Sequence, residues 1–239
     1  MEWYPENKEE LNSMLDSFLA SKKTSKKNQE KNKIKVHGVI VPHAGYIYSG
    51  KVAGKVYSLV SGVDKAVVIG PSHYAYLTGV VGANTDFETP LGKMKVVNDR
   101  FDKADIRNEH SITNQIPFLQ KLGVKEVLAL MVGEISAEQA KEVAEKIADF
   151  PGLFVFSSDL SHFLPYQEAL KKDKKTIEII EKLDFANFEQ VDACGKNGLL
   201  ILFHLCKIKK WKPKLIEYNN SGDVTSDKSG VVGYGGFVF

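Results

Sequence analysis

The chain has 239 residues, 43% of them hydrophobic and 26% charged, with a net charge of +2. That length supports one large core, the near-zero charge gives no global pull toward nucleic acid or a membrane surface, and two cysteines are too few for a disulfide framework. No apolar run approaches the roughly 20 residues of a bilayer span, and the start lacks a signal peptide's basic and apolar regions, so one cytoplasmic domain covering residues 1–239 is expected.

Leu11, Met14, Leu15, Phe18 and Leu19 recur at helical spacing, which predicts an amphipathic helix over residues 6–21. Residues 21–35 hold seven lysines against one acid and read as a solvated loop within the domain. Val36 to Val41 is the first core strand, followed by a helix over residues 49–61 with Ser49 as its N-cap. Lys65 to Ile69 is the second. Residues 74–83 and 92–97 have strand character around the turn Thr89-Pro90-Leu91-Gly92. A helix is expected from Asn108 to Leu122, capped by Asn108 or Ser111, then a strand over residues 124–132.

Ser136 and Gln139 form a capping box for a helix to Phe150, and residues 152–157 are another strand. Helices over residues 166–183, 185–191 and 199–208 follow, and strands over 213–218 and 230–239 close the chain. Strands alternating with helices predict a three-layer α/β/α fold around a mixed, largely parallel sheet.

Four strands run into turns rich in polar groups: Val39-Ile40-Val41 into Pro42-His43-Ala44-Gly45-Tyr46, Val67-Val68-Ile69 into Gly70-Pro71-Ser72-His73, Phe154-Val155-Phe156 into Ser157-Ser158-Asp159-Leu160-Ser161-His162, and Leu215-Ile216 into Asn220-Ser221-Gly222-Asp223. Carboxyl ends of parallel strands are where α/β proteins gather their ligands. If these strands are parallel neighbours, His43, His73, Asp159, His162 and Asp223 meet in one crevice. Two neutral imidazoles and a carboxylate suit ferrous iron with open coordination positions, and zinc accepts the same donors. His43 and His73 with an acid from Asp223 or Asp159 would supply that set. Asp159, three residues before His162, is placed to orient it as a general acid/base. His110, beside Glu109 at a helix start, is a pocket candidate. There is no Gly-x-Gly-x-x-Gly, P-loop or Gly-x-Ser-x-Gly pattern, so nucleotide binding and serine hydrolysis have no support.

Taken together, Val41-Pro42-His43-Ala44-Gly45-Tyr46, Gly70-Pro71-Ser72-His73, Glu109-His110-Ser111-Ile112, Ser157-Ser158-Asp159-Leu160-Ser161-His162, Cys194-Gly195 and Asn220-Ser221-Gly222-Asp223-Val224-Thr225 resemble the Memo family over nearly the whole chain. The family is similar to the class III extradiol dioxygenases, non-haem iron enzymes with an α/β fold. The resemblance implies that His43 and His73 are metal ligands and that His162 serves in acid/base catalysis. Animal members carry a cysteine at the position of Val224, and Asp223 beside it is expected to restore the third ligand. Cys194 matches another family position and is expected near the pocket. The resemblance also implies an iron-dependent redox activity on a small molecule, and a pathway shared with a radical-SAM protein and an AMMECR-family protein. Animal members are described as binding phosphotyrosine segments of receptors. That implies an alternative in which the crevice takes a phosphorylated peptide or small anion between His43, His73 and His162, with Tyr46, Tyr48 and Tyr74 as walls.

Overall fold

The computed structural model describes residues 3–20 and 35–239; the lysine-rich stretch, apart from Lys35, lies outside the described residues. Four strands carry the centre: β1 (Gly38–Val41), β2 (Lys65–Pro71), β7 (Glu126–Val132) and β8 (Leu153–Ser157). They lie in the order β1-β8-β2-β7, each parallel to its neighbour. Every residue of β1 and β8 is buried, as continuous Val/Ile/Phe runs require when both faces of a sheet are covered. Trimming such a side chain, as in Ile69→Ala, costs about 2–5 kcal/mol.

The flanks are built differently. β11 (Val231–Val238) runs antiparallel to β1 and to β10 (Lys214–Asn220), and β3 (Val80–Ala83) runs antiparallel to β7. The sheet is therefore mixed, with its run of parallel neighbours at the centre, rather than largely parallel throughout. β4 (Phe87–Thr89) pairs only with β5 (Gly92–Val96), which joins β7, and β6 (Lys103–Ala104) ends the sheet beside β3. The strand expected from Tyr74 starts only at Val80, because the preceding residues form a loop in which Ser72 Oγ donates to the Ala75 carbonyl.

Helices cover both faces. On one, α1 (Lys8–Leu19), α2 (Tyr46–Tyr57), α3 (His110–Thr113) and α4 (Ile116–Lys121) bury Leu11, Leu15, Val56, Ile112 and Phe118 against β1 and β2. On the other, α5 (Ala137–Ile147), α6 (Tyr166–Lys182) and α7 (Lys196–Lys209) bury Ala140, Ala144, Ile179, Ile180, Leu202 and Phe203. The Ser136–Gln139 capping box opens α5 as its sequence predicts, and residues 185–190 form a 3-10 turn. Among the described residues, no helix is long and apolar enough to cross a membrane.

Two helix starts depart from expectation, and both shape the crevice. α2 begins at Tyr46 with Gly45 as N-cap; Ser49 sits in its first turn and donates instead to the Ala44 carbonyl, tying the helix to the His43 turn. The single helix expected over residues 108–122 is split into α3 and α4, with Glu109 as the cap of α3. The split frees Asn114 and Gln115 to donate to the carbonyls of His43 and Pro42.

Candidate metal centre

Because β8 lies between β1 and β2, the turns carrying His43, Asp159 and His73 emerge side by side at one sheet end. Their rings converge: His43 and His73 have centroids 5.1 Å apart, and His110, from the start of α3, lies 5.3 Å from His43 and 4.3 Å from His73. Donor atoms of His43, His73 and Cys194 all fall within 4.8 Å of one another, as do those of His73, Glu109 and His110.

Each imidazole is held by its second nitrogen. His43 Nδ1 bonds Ser157 Oγ at 2.9 Å, leaving Nε2 aimed at Cys194 Sγ, 3.3 Å away. Gln115 Nε2 fixes that serine in turn at 2.9 Å. His73 Nδ1 bonds Glu109 Oε1 at 2.8 Å while the other carboxylate oxygen accepts the His73 backbone N–H. A buried carboxylate behind an imidazole fixes the ring and raises its basicity, the usual backing of a metal-binding histidine. From the sequence, Glu109 is assigned no role of its own and is named only as the neighbour of His110 at a helix start. His110 Nδ1 bonds Tyr74 Oη, and its ring stacks flat on Trp3 at 4.1 Å.

Charge follows burial. His43 is 2% exposed, and burial together with the neighbouring His73 lowers its pKa to about 3, so its lone pair is free at neutral pH. Burial and the two neighbouring imidazoles likewise lower His110. Burial raises Glu109, but the bonds from His73 and Ser111 outweigh it and hold the carboxyl below the usual range. Burial, aided by the Asp159 charge, pushes the Cys194 thiol well up, so that a metal ion binding there has to displace its proton.

The expected acids sit elsewhere. Asp159 is buried, turned back to accept the His43 backbone N–H at 2.8 Å, and burial raises its pKa. It does not bond His162, whose Nδ1 is instead taken by the Leu160 carbonyl at 2.8 Å. A carbonyl can only accept, so His162 Nδ1 carries a proton, and in the neutral ring the lone pair is on Nε2. Asp223 is exposed in the short helix α8 (Ser221–Thr225), where it forms a capping box with Asn220 and accepts from Tyr166 Oη. Its neighbours Ser221 and Thr225, four residues apart on one helical face, line the cleft; Asp223, between them, faces away. The structure thus brings Cys194, not Asp223, to the two histidines. Tyr46 also leaves the cleft: as the first residue of α2 it is buried, donating to the Asn114 carbonyl, while Tyr48 lines the cleft.

The cleft has a volume of about 460 Å³. Its outer wall is a short strand, β9 (His162–Leu164), paired to β11 through a bulge: His162 opposes Val232 and Leu164 opposes Val231, which leaves Phe163 as the extra residue. Phe163 has φ 58°, a left-handed conformation that glycine normally fills in such bulges and that costs other residues about 1–3 kcal/mol. Behind the site, two close approaches need glycine: a Cβ on Gly195 would meet Ser158 Cβ at 2.6 Å, and one on Gly233 would meet Asp173 Oδ2 at 2.0 Å. The first lets Cys194 reach His43. The second lets the buried Asp173 accept the Ser161 N–H at 2.9 Å and steady the loop before His162.

The family model described as Memo-like protein matches residues 2–238. Similar relatives are MEMO1 family proteins of Aquifex aeolicus, 33% identical with 99% of this chain and 96% of the relative covered, and of Archaeoglobus fulgidus, 32% identical with the same coverage. One from Thermoplasma acidophilum is 35% identical over 99% of this chain and 95% of its own. With a match over nearly its whole length and relatives aligned end to end, the chain belongs to the Memo family.

Proposed function

We propose that this protein is a metal-dependent redox enzyme, similar in the layout of its site to the class III extradiol dioxygenases, that holds ferrous iron through His43, His73 and Cys194 and acts on a small organic molecule in the adjoining cleft. The observation that carries this reading is the meeting of three donor atoms within 4.8 Å: His43 and His73 line a cleft that also presents the His162 ring, and Cys194 reaches them from a neighbouring hollow. The donors fit the ion: both imidazoles have their second nitrogens engaged, and His43 is neutral at physiological pH. When bound, iron supplies redox chemistry and open positions for dioxygen and substrate. Glu109 orients His73, Ser157 orients His43, and the carbonyl of Leu160 keeps the His162 Nε2 lone pair available to take a proton from the substrate. The flat Trp3–His110 stack forms one side of the cleft.

A zinc reading is favoured by one feature, the Cys194 thiol, since thiolate with two imidazoles is a familiar zinc set and leaves a fourth position for a hydrolytic water. Metal analysis of protein purified anaerobically without a chelating tag, followed by ferrous titration and dioxygen uptake, separates the readings. Near-stoichiometric iron in the native protein, kept by His162→Ala while dioxygen uptake is lost, is the expected result. Zinc retained with no dioxygen uptake favours hydrolysis, and protein that refuses both metals leaves a binding module without an active centre.

A further inference from the structure

Sixteen described residues line the cleft, and none is lysine or arginine, in a chain that holds 32 such residues. Two carboxylates face it instead: Asp159 at the buried end and Asp227 at the exposed end. Asp227 Oδ1 accepts from both the backbone N–H and the hydroxyl of Ser229, which hold its pKa below the usual carboxylate range, so it is ionised at neutral pH. Lys228, its chain neighbour, lies over the Tyr166 ring at 4.5 Å.

Besides its four histidines the lining carries four large aromatic side chains. Trp3, Tyr48, Phe163 and Tyr234 contribute faces or edges. Phe163 is the telling member. It occupies the extra position of the β9 bulge at φ 58°, where glycine would rest without strain, and its side chain is 78% exposed beside the His162 ring, with centroids 5.7 Å apart. A large apolar ring kept in a strained conformation and left open to water contributes little to the fold. Its place at the cleft edge gives it a use when a ligand covers it.

We propose that the cleft takes a cationic organic substrate, an amine whose charged end rests against the aromatic rim and Asp227 while its apolar body extends inward toward the histidines. Cations are drawn to aromatic faces and to an ionised carboxylate, and each interaction strengthens as water is expelled. Anions meet the reverse: the ionised Asp227, and neither lysine nor arginine among the described lining residues. The inference names the substrate class for the reaction chamber assigned above and rests on that assignment.

The test is ligand-observed NMR with three probes of one shape, 2-phenylethylamine, 2-phenylethanol and phenylacetate, at pH 7 and millimolar concentration. The amine is expected to bind at least tenfold tighter than the acid, with the alcohol between, and the gap is expected to narrow in high salt. Asp227→Asn should shrink the gap several-fold. Phe163→Gly should weaken amine binding and raise the melting temperature, because glycine relieves the positive φ. Phenylacetate binding as tightly as the amine, or no binding by any probe, would overturn the proposal. So would a Phe163→Gly protein that melts lower and binds the amine unchanged, since Phe163 would then be structural. Ferrous titration of the same samples distinguishes the two failures: lost amine preference with iron retained sinks only the substrate class, whereas absent iron sinks the enzymatic reading.

Discussion

The two walls of the cleft are built on opposite plans. The inner wall grows from parallel strand ends, and its groups are doubly bonded on a buried base: His43 between Ser157 and Cys194, the buried Glu109 across the more open His73, Gln115 across Ser157. The outer wall grows from antiparallel pieces, β9 and α8, and carries exposed groups: Phe163 in a strained bulge, Asp227 in a turn. Rigid, preorganised donors suit an ion whose coordination geometry must be met within fractions of an ångström, while an open and strained rim suits a ligand that comes and goes. On the function proposed above, metal holding falls to the inner wall and ligand selection to the outer.

The strongest way to break that division is to remove the inner donors. His43→Ala and His73→Ala should each abolish stoichiometric iron binding, measured by anaerobic titration, with circular dichroism unchanged. Iron held at full stoichiometry by both variants would move the centre elsewhere. Removing the groups behind the rings has smaller effects that should differ from each other. Glu109→Gln should weaken iron affinity about 10–100-fold, whereas Ser157→Ala should cost less, because a charged partner makes a bond roughly twice as strong as a neutral one. Equal losses in the two variants would mean that the carboxylate acts only by filling space.

How much of this was legible in the sequence follows the same line between the walls. His43, His73 and Asp159 could be placed together because long apolar runs of β1, β2 and β8 identify buried parallel strands, whose ends converge by geometry. The expected third donor, Asp223, lies outside the group of donor atoms that the structure brings together. Asp223 follows a strand running in the same direction as β1, since β10 and β1 each lie antiparallel to β11, but the helix it enters turns its carboxylate outward. Strand direction was readable, while side-chain facing in a five-residue helix was not. Cys194 precedes an apolar helix and no strand, so only the close packing permitted by Gly195 brings it to His43. The three-residue β9 with its bulge is too short to leave a periodic signal, and the tie between His162 and the Leu160 carbonyl depends on that bulge.

Acid should expose the inner wall more than the outer. Burial keeps His43 unprotonated in the folded chain down to about pH 3, whereas the unfolded chain takes up that proton near its ordinary value of 6.5. Between those values the unfolded state binds more protons, so stability falls as pH falls through the window. Glu109, lowered in the folded state, has the same sign at still lower pH, while Asp159, raised by burial, opposes it. Thermal melts of the metal-free protein from pH 7.5 to 4.5 should show a declining melting temperature, and His43→Gln should flatten that decline. An unchanged slope in the variant would mean that His43 takes up its proton in the folded chain as readily as in the unfolded one.

The smallest effect concerns Asp223, where the two walls make opposite predictions. As a ligand it would be essential to iron binding. As the cap of α8 it accepts the Asn220 backbone N–H and the Tyr166 hydroxyl at the surface, contributions worth about 0.5–1 kcal/mol together. Asp223→Ala should therefore lower the melting temperature by roughly 1–4 °C and leave iron affinity within error of the native protein. A large loss of iron with little loss of stability would reverse the assignment, because it would require α8 to rotate its acid into the cleft when metal binds. Ser221 and Thr225 would then have to turn out of the lining, and the hydrogen bond from the Val232 N–H to Ser221 Oγ would break.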